Sequence, residues 1–338
     1  MKKAAILTGG GDSSGINDFI RSAVLLLAKQ DLEVVGVKQG YLGLLEEAYR
    51  PLTPDTVNSL VGTGGSMLLT SRTNPSKVAG GYERILDNLE KEKIEVLICV
   101  GGNDTLSVAG KLSELGVQVI GVPQTIDNDL PYTDYCIGFH TAVANIAASV
   151  RMLISSNISH QKEMVVEVMG RDSGFLALRS AIALGADYLA IPEFSLDMEK
   201  LCTMLLSNRA KGNKSSLMMV SEGVKASGAN LLSDEVDVFG NIKLGGIGYH
   251  IAEQVDKKIG AKPRTEVLGY IPRGGMADPY DSFLSVLFAR GVAENIKSNT
   301  FGVMVGIDAQ TTKNVALSMA VSSIRVVQEK EYRNFLPC

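Results

Sequence analysis

The chain has 338 residues, of which 45% are hydrophobic and 21% charged, with a formal net charge of −4. That apolar content is enough for one large core or two ordinary ones. With no basic tract, it argues against sequence-independent nucleic-acid binding.

Short β-rich apolar runs predict strands over 4–8, 33–37, 95–101, 117–123, 164–170, 188–192, 216–222, 266–271 and 303–308. Helix-period stretches over 15–28, 106–115, 142–154 and 281–296 fall between them. Near-continuous apolar strands alternating with helices predict a parallel α/β sheet covered on both faces. So many strands exceed one typical sheet, which predicts two α/β lobes. Residues 224–249 are Gly-rich and polar and read as a long loop beside the cleft. Cys99, Cys136, Cys202 and Cys338 have no metal-ligand spacing and no disulfide framework, which points to free thiols in a reducing, cytoplasmic setting. The apolar run after Lys2 and Lys3 is too short for a signal peptide, and no stretch approaches the roughly 18 apolar residues of a membrane span.

In open α/β sheets ligands bind past the carboxyl ends of the strands. The chemically interesting residues gather there: "TGGGDSSG" (8–15), "VGGNDT" (100–105), "VPQTIDND" (122–129), "MGRDSG" (169–174), "VSEG" (220–223) and "LGYIPRGG" (268–275). The first two offer glycine turns whose N–H groups can approach an anion. The alternatives are a strand–helix turn capped by Asp12 or Ser14, and an Asx turn at Asn103 and Asp104. In "TIDND", Asp127 and Asp129 are two apart, which in extended backbone puts both carboxylates on one side. One could act as general base toward a hydroxyl; the alternative is an Asx-rich turn. Arg72, Lys162, Arg171, Arg264 and Arg273 lie at or near strand ends, and a gathered set of such cations suits phosphate oxygens. His140, His160 and His250 lack ligand spacing, and no G-x-S-x-G elbow supports acyl transfer. The residues alone therefore describe an α/β phosphoryl-transfer enzyme acting on a phosphorylated small molecule.

The segments "GGDSSGINDFIR", "GGNDTLSVAGKL", "TIDNDLPYTDYCIGFHTA", "SSNISHQKEMVVEVMGRDSGFLAL" and "LGYIPRGGMADPYDSFL", in order and spacing, resemble the phosphofructokinase family A over nearly the whole chain. The resemblance implies two Rossmann-like three-layer lobes with mainly parallel sheets. Residues 1–138 with about 272–320 would form the donor lobe, and 139–271 with about 321–338 the sugar-phosphate lobe. It implies a Mg²⁺-assisted phosphoryl transfer to the 1-hydroxyl of fructose 6-phosphate in a homo-oligomer, tetramer or dimer, with shared sites. Carried over by position, Asp127 is the base, Asp129 its assistant and, with Asn103, a magnesium contact. Gly11, Arg72, Gly102, Asn103, Asp104, Thr105 and Gln124 face the donor. Thr125, Met169, Gly170 and Glu222 hold the sugar, and Arg171 steadies the transferring charge. Lys162 and Arg264, from a neighbouring subunit, join Tyr270 and Arg273 at the 6-phosphate.

The same resemblance bears on the donor. Asp104 stands where ATP users usually have Gly, and Val108 where they usually have a Gly next to the adenine; both point to pyrophosphate. Gln124 stands where pyrophosphate users usually have Lys and many ATP users Gly, so ATP remains the alternative. Asn103, Lys162 and Tyr270 depart from the usual acidic residue, Arg and His. They leave open another sugar phosphate as acceptor, or a silent sugar-phosphate-binding subunit. Leu25, Pro54 and Ile154 replace effector-site arginines of short ATP enzymes, which predicts little allostery.

Overall fold

The computed structural model describes residues 2–226, 238–240 and 244–335. Its strands are Lys3–Thr8 (β1), Glu33–Val37 (β2), Tyr49–Leu52 (β3), Val96–Gly101 (β4), Gln118–Pro123 (β5), Met164–Val168 (β6), Tyr188–Ala190 (β7), Leu217–Ser221 (β8), Arg264–Val267 (β9), Val303–Asp308 (β10) and Thr311–Ala316 (β11). They form a seven-stranded sheet, β11-β10-β5-β4-β1-β2-β3, and a four-stranded sheet, β7-β8-β6-β9. The second sheet is parallel throughout, and the first is parallel except at its two edge pairs.

Period-two alternation explains the layering. Along β1, Ala4 and Ile6 enter one core while Ala5 and Leu7 enter another. The first face packs under helices Ile16–Ala28 and Pro279–Lys297, the second under Gly81–Lys91 and Asn103–Glu114. In the second sheet, Met164, Val166 and Val168 face helices Phe139–His160 and Phe175–Leu184, while Val165 faces Met198–Ala210 and Ile247–Ile259. A strand covered on both faces is apolar along most of its length, which is why β4 and the centre of β1 read as unbroken runs. Truncating a fully buried Ile6 or Ile98 to Ala would cost about 2–5 kcal/mol.

The two edge strands β3 and β11 were not among the expected strands. Both are half-exposed; β3 is also short and carries Pro51, which only an edge tolerates. The strand expected over 266–271 is displaced to Arg264–Val267, since Gly269 turns at φ 50° and Ile271–Arg273 forms a 3₁₀ turn. Of the loop expected over 224–249, residues 227–237 and 241–243 lie outside the described residues, and its end opens the helix Ile247–Ile259. Among the described residues no helix is long and apolar enough to cross a membrane.

Strand order locates the crevice. β1 continues to β2 on one side, while β4 lies on its other side. This reversal places a switch point past the carboxyl ends of β1 and β4, where "TGGGDSSG" and "VGGNDT" emerge.

Candidate active site

A cavity of about 100 Å³ opens at this switch point. Its lining includes Gly10 and Gly11 after β1, Gly102 to Thr105 after β4, and Gln124, Thr125, Asp127 and Asp129 after β5. Arg72, Arg171 and Arg273, three of the five cations expected at strand ends, line it too. Residues from both sheets' strand ends therefore meet in one space.

The glycine loop is held by its carbonyls. Thr70 Oγ1 donates to the Gly10 carbonyl at 2.7 Å, Gln124 Nε2 to that of Gly11 at 3.1 Å, and Arg273 Nη1 to that of Asp12 at 2.9 Å. The Gly9 and Gly10 N–H groups donate to the Val100 and Ser71 carbonyls at 3.0 and 3.2 Å, so the N–H groups suited to an anion are those from Gly11 onward. At Gly11 the Arg273 guanidinium packs against the backbone, and a Cβ there would push that side chain aside. Gln124 is almost fully buried, and its Nε2 also donates to Ser13 Oγ at 2.9 Å.

After β5 the chain does not stay extended, contrary to the expectation for "TIDND". Asn128 adopts a left-handed φ of 52°, which Asn tolerates better than most residues. Its side chain donates to the Asp134 carbonyl and accepts from the Cys136 N–H. Asp127 and Asp129 still share the cavity, brought together by a turn instead of strand alternation.

Burial raises the Asp127 carboxyl, with the Arg273 and Arg171 guanidiniums pulling it back down. Asp129 is pushed up to about 7 by burial and by the charge of Asp127. Burial and Asp127 likewise push Glu222 to about 7, and Glu222 Oε1 accepts from the Arg171 N–H at 3.4 Å. Arg171 itself sits at φ 50°, a left-handed turn uncommon for a bulky residue and frequent at functional sites. Gly223 lets this turn approach, because any Cβ there would strike the Arg171 carbonyl.

Among the described residues, three buried oxygens at the site lack a hydrogen-bond partner: Asn103 Oδ1, Gln124 Oε1 and Asp127 Oδ1. Unpartnered acceptors beside carboxylates suit a hard cation. Among the described residues no three His, Cys, Asp or Glu side chains gather as a metal site. A cation here would thus lean on one or two carboxylates, an amide oxygen and oxygens of the substrate, as Mg²⁺ commonly does.

Other expected residues stand apart from this lining. Lys162 and Arg264 do not line the cavity. They stand just before β6 and at the start of β9, the amino ends of those strands, on the far side of the sheet from the carboxyl-end cleft. There Arg264 Nη1 donates to Ser156 Oγ and Asn157 Oδ1, both at 3.1 Å. Tyr270 is 76% exposed and also outside the lining, as are Met169, Gly170 and Glu222. Val108, which stands where ATP users usually have a Gly next to the adenine, is buried in the core with Leu106 and Leu112. Tyr41, Ser71, Thr73, Asp172, Phe239 and Ile324 line the cavity without having been singled out. Ser71, Thr73 and Asp172 flank Arg72 and Arg171, a usable signal, and Phe239 belongs to the 224–249 segment expected beside the cleft; Tyr41 and Ile324 arrive from segments with none.

A family model described as Phosphofructokinase matches residues 3–296. The chain is 37% identical to a pyrophosphate–fructose 6-phosphate 1-phosphotransferase of Amycolatopsis mediterranei over 338 residues, covering 98% of each chain. It is 36% identical to an ATP-dependent 6-phosphofructokinase of Mycobacterium tuberculosis over 334 residues, covering 98% of this chain and 97% of that one. The structure of phosphofructokinase from Saccharomyces cerevisiae superposes with a TM-score of 0.84 at 26% identity, over 95% of this chain and 45% of that longer one.

Proposed function

Because the chain belongs to the phosphofructokinase family, we propose that it transfers a phosphoryl group from inorganic pyrophosphate to the 1-hydroxyl of fructose 6-phosphate. Asp127 takes the hydroxyl proton as the oxygen attacks the near phosphorus; the bridging P–O bond breaks, giving fructose 1,6-bisphosphate and phosphate. Burial favours this role, since a carboxylate raised above its ordinary value accepts a proton more readily. Arg171 and Arg72 stabilise the charge that spreads over the transferring oxygens. Mg²⁺ would be held by Asp129 and Asn103 and would screen the donor's charge. Residues 1–138 with about 272–320 make the donor lobe, and 139–271 with about 321–338 the sugar lobe. The reaction belongs to glycolysis in the cytoplasm.

The observation that carries the donor is Asp104. Its carboxylate lines the cavity in the first turn of helix Asn103–Glu114, where an α-phosphate would meet a like charge. ATP is the second reading, favoured by Phe239, an aromatic ring in the lining that could stack on a base. Purified protein with Mg²⁺ and fructose 6-phosphate, given either donor, separates them. A kcat/KM for ATP about tenfold above that for pyrophosphate overturns the donor assignment; no turnover with either favours another acceptor or a silent subunit.

The position of Lys162 and Arg264 away from this cavity supports their service to a neighbouring subunit's acceptor phosphate. Mixing inactive Lys162→Ala and Asp127→Ala proteins after subunit exchange would restore part of the activity if sites are shared. No recovery in verified mixed oligomers would rule the sharing out.

A further inference from the structure

We propose that Arg325 is a positioning residue for this phosphoryl transfer, tying the loop of Asp127 and Asp129 to the segment that carries Arg171. The proposal rests on the phosphotransferase reading and concerns a part of the chain that reading does not use. After β11 the chain turns back as a strap from the first sheet to the second. Ile324 lines the cavity. The next N–H, of Arg325, donates to the Asp129 carbonyl at 2.7 Å. Its Nη1 donates to the carbonyls of Thr133 at 3.1 Å and Asp134 at 2.9 Å, further along the same loop.

The other side of the guanidinium faces the second lobe. Its carbon lies 4.4 Å from the centre of the Phe175 ring, the first residue of the helix after "MGRDSG". Glu331, farther along the strap, holds Nη2 at 3.6 Å. Two residues on, the buried Val327 donates its N–H to Glu193 Oε1 at 2.8 Å, and the same oxygen accepts the Gly174 N–H at 2.8 Å. The strap thus touches the base-bearing loop and the Arg171-bearing turn within four residues.

This matters because neither segment lies in a sheet ladder. Asp129 follows the left-handed Asn128, and Arg171 is itself left-handed. Their separation is set by whatever bridges them. Arg is suited to the bridge: one planar group donates in its plane to two carbonyls while its face covers an aromatic ring. Lysine offers the charge and a donor but no planar face. A shift of about 1 Å between a base and a phosphoryl-steadying cation can cost on the order of 10²-fold in rate.

The test compares full-length wild type, Arg325→Met, Arg325→Lys and Tyr332→Phe. The last loosens the strap's far anchor, where Tyr332 Oη donates to the Leu189 carbonyl, without touching either loop. Steady-state kcat, both KM values and thermal midpoints are measured with fructose 6-phosphate and the better donor. For Arg325→Met, kcat should fall about 10- to 100-fold while both KM values stay within about threefold. Arg325→Lys should recover part of that loss, and Tyr332→Phe should lower the midpoint and keep kcat. An Arg325→Met kcat within about threefold of wild type overturns the role, as does an equal kcat loss in Tyr332→Phe. If Arg325→Met does not fold, Arg325→Lys decides: a kcat loss above about threefold supports the role, and a smaller one overturns it. Absence of wild-type turnover sinks the phosphotransferase reading and this inference with it, an outcome distinct from a failure of the variants alone.

Discussion

Replacing Asp104 with Gly should convert donor preference toward ATP. Asp104 follows the N-cap Gly102 and Asn103, lines the cavity, and raises the Asp129 carboxyl through its charge. An α-phosphate with one negative charge about 5 Å from that carboxylate, at an effective dielectric near 20, is opposed by roughly 3 kcal/mol. That is about two orders of magnitude in kcat/KM. Asp104→Gly removes charge and bulk together, whereas Asp104→Asn removes only the charge. The ATP-to-pyrophosphate ratio of kcat/KM should therefore rise about 100-fold in the Gly variant, and by an intermediate factor in the Asn variant. The Gly variant also loses a carboxylate from a helix N-terminus and gains backbone freedom, costing about 1–2 kcal/mol of stability. Coupled assays with each donor and a thermal melt read both effects. A ratio that moves less than about threefold in both variants refutes the reasoning.

Asp127→Ala should lower kcat by roughly 10²–10⁴-fold while leaving sugar-phosphate binding by calorimetry largely intact; a variant keeping more than a tenth of wild-type kcat rules out the base. Gln124→Gly should weaken catalysis with both donors, because the Gly11 carbonyl and Ser13 hydroxyl lose their donor. Gln124→Lys should keep those contacts, add a positive charge and favour pyrophosphate; equal effects of the two variants on both donors would contradict this. Stability should fall as pH rises from about 4.5 to about 7, since Glu222 titrates near 7 when folded and the unfolded chain has already lost its proton. Glu222→Gln should flatten that slope by up to about 1.4 kcal/mol per pH unit, read by denaturant unfolding across the range; an unchanged slope would show that Glu222 does not carry the proton.

Much of this architecture was legible in local sequence. The interior strands are apolar along most of their covered length because both faces are packed, so β1, β4, β5 and β6 stood out as runs; buried Glu167 of β6 is an exception, its carboxylate accepting the Gly246 and Gly248 N–H groups. Their ends carry the glycines, Asx residues and arginines of the cavity. The edges β3 and β11 were missed because a half-exposed edge needs no such run. Tyr41 and Ile324 were missed because each reaches the cavity from a remote part of the chain, with nothing nearby to mark it. "TIDND" supplied the right residues with the wrong backbone, since its turn depends on Asn128 meeting Asp134 and Cys136.

The sequence by itself determined an α/β protein with polar, phosphate-suited turns after its strands, because periodicity and turn chemistry belong to contiguous residues. Only the tertiary structure decided which turns meet. Strand order, with β1 between β2 and β4, creates one crevice and leaves Lys162 and Arg264 at the opposite ends of their strands. It also decided what Gln124 does. Its amide holds the glycine loop at Gly11 and Ser13, a relation across more than 110 residues that only folding can make.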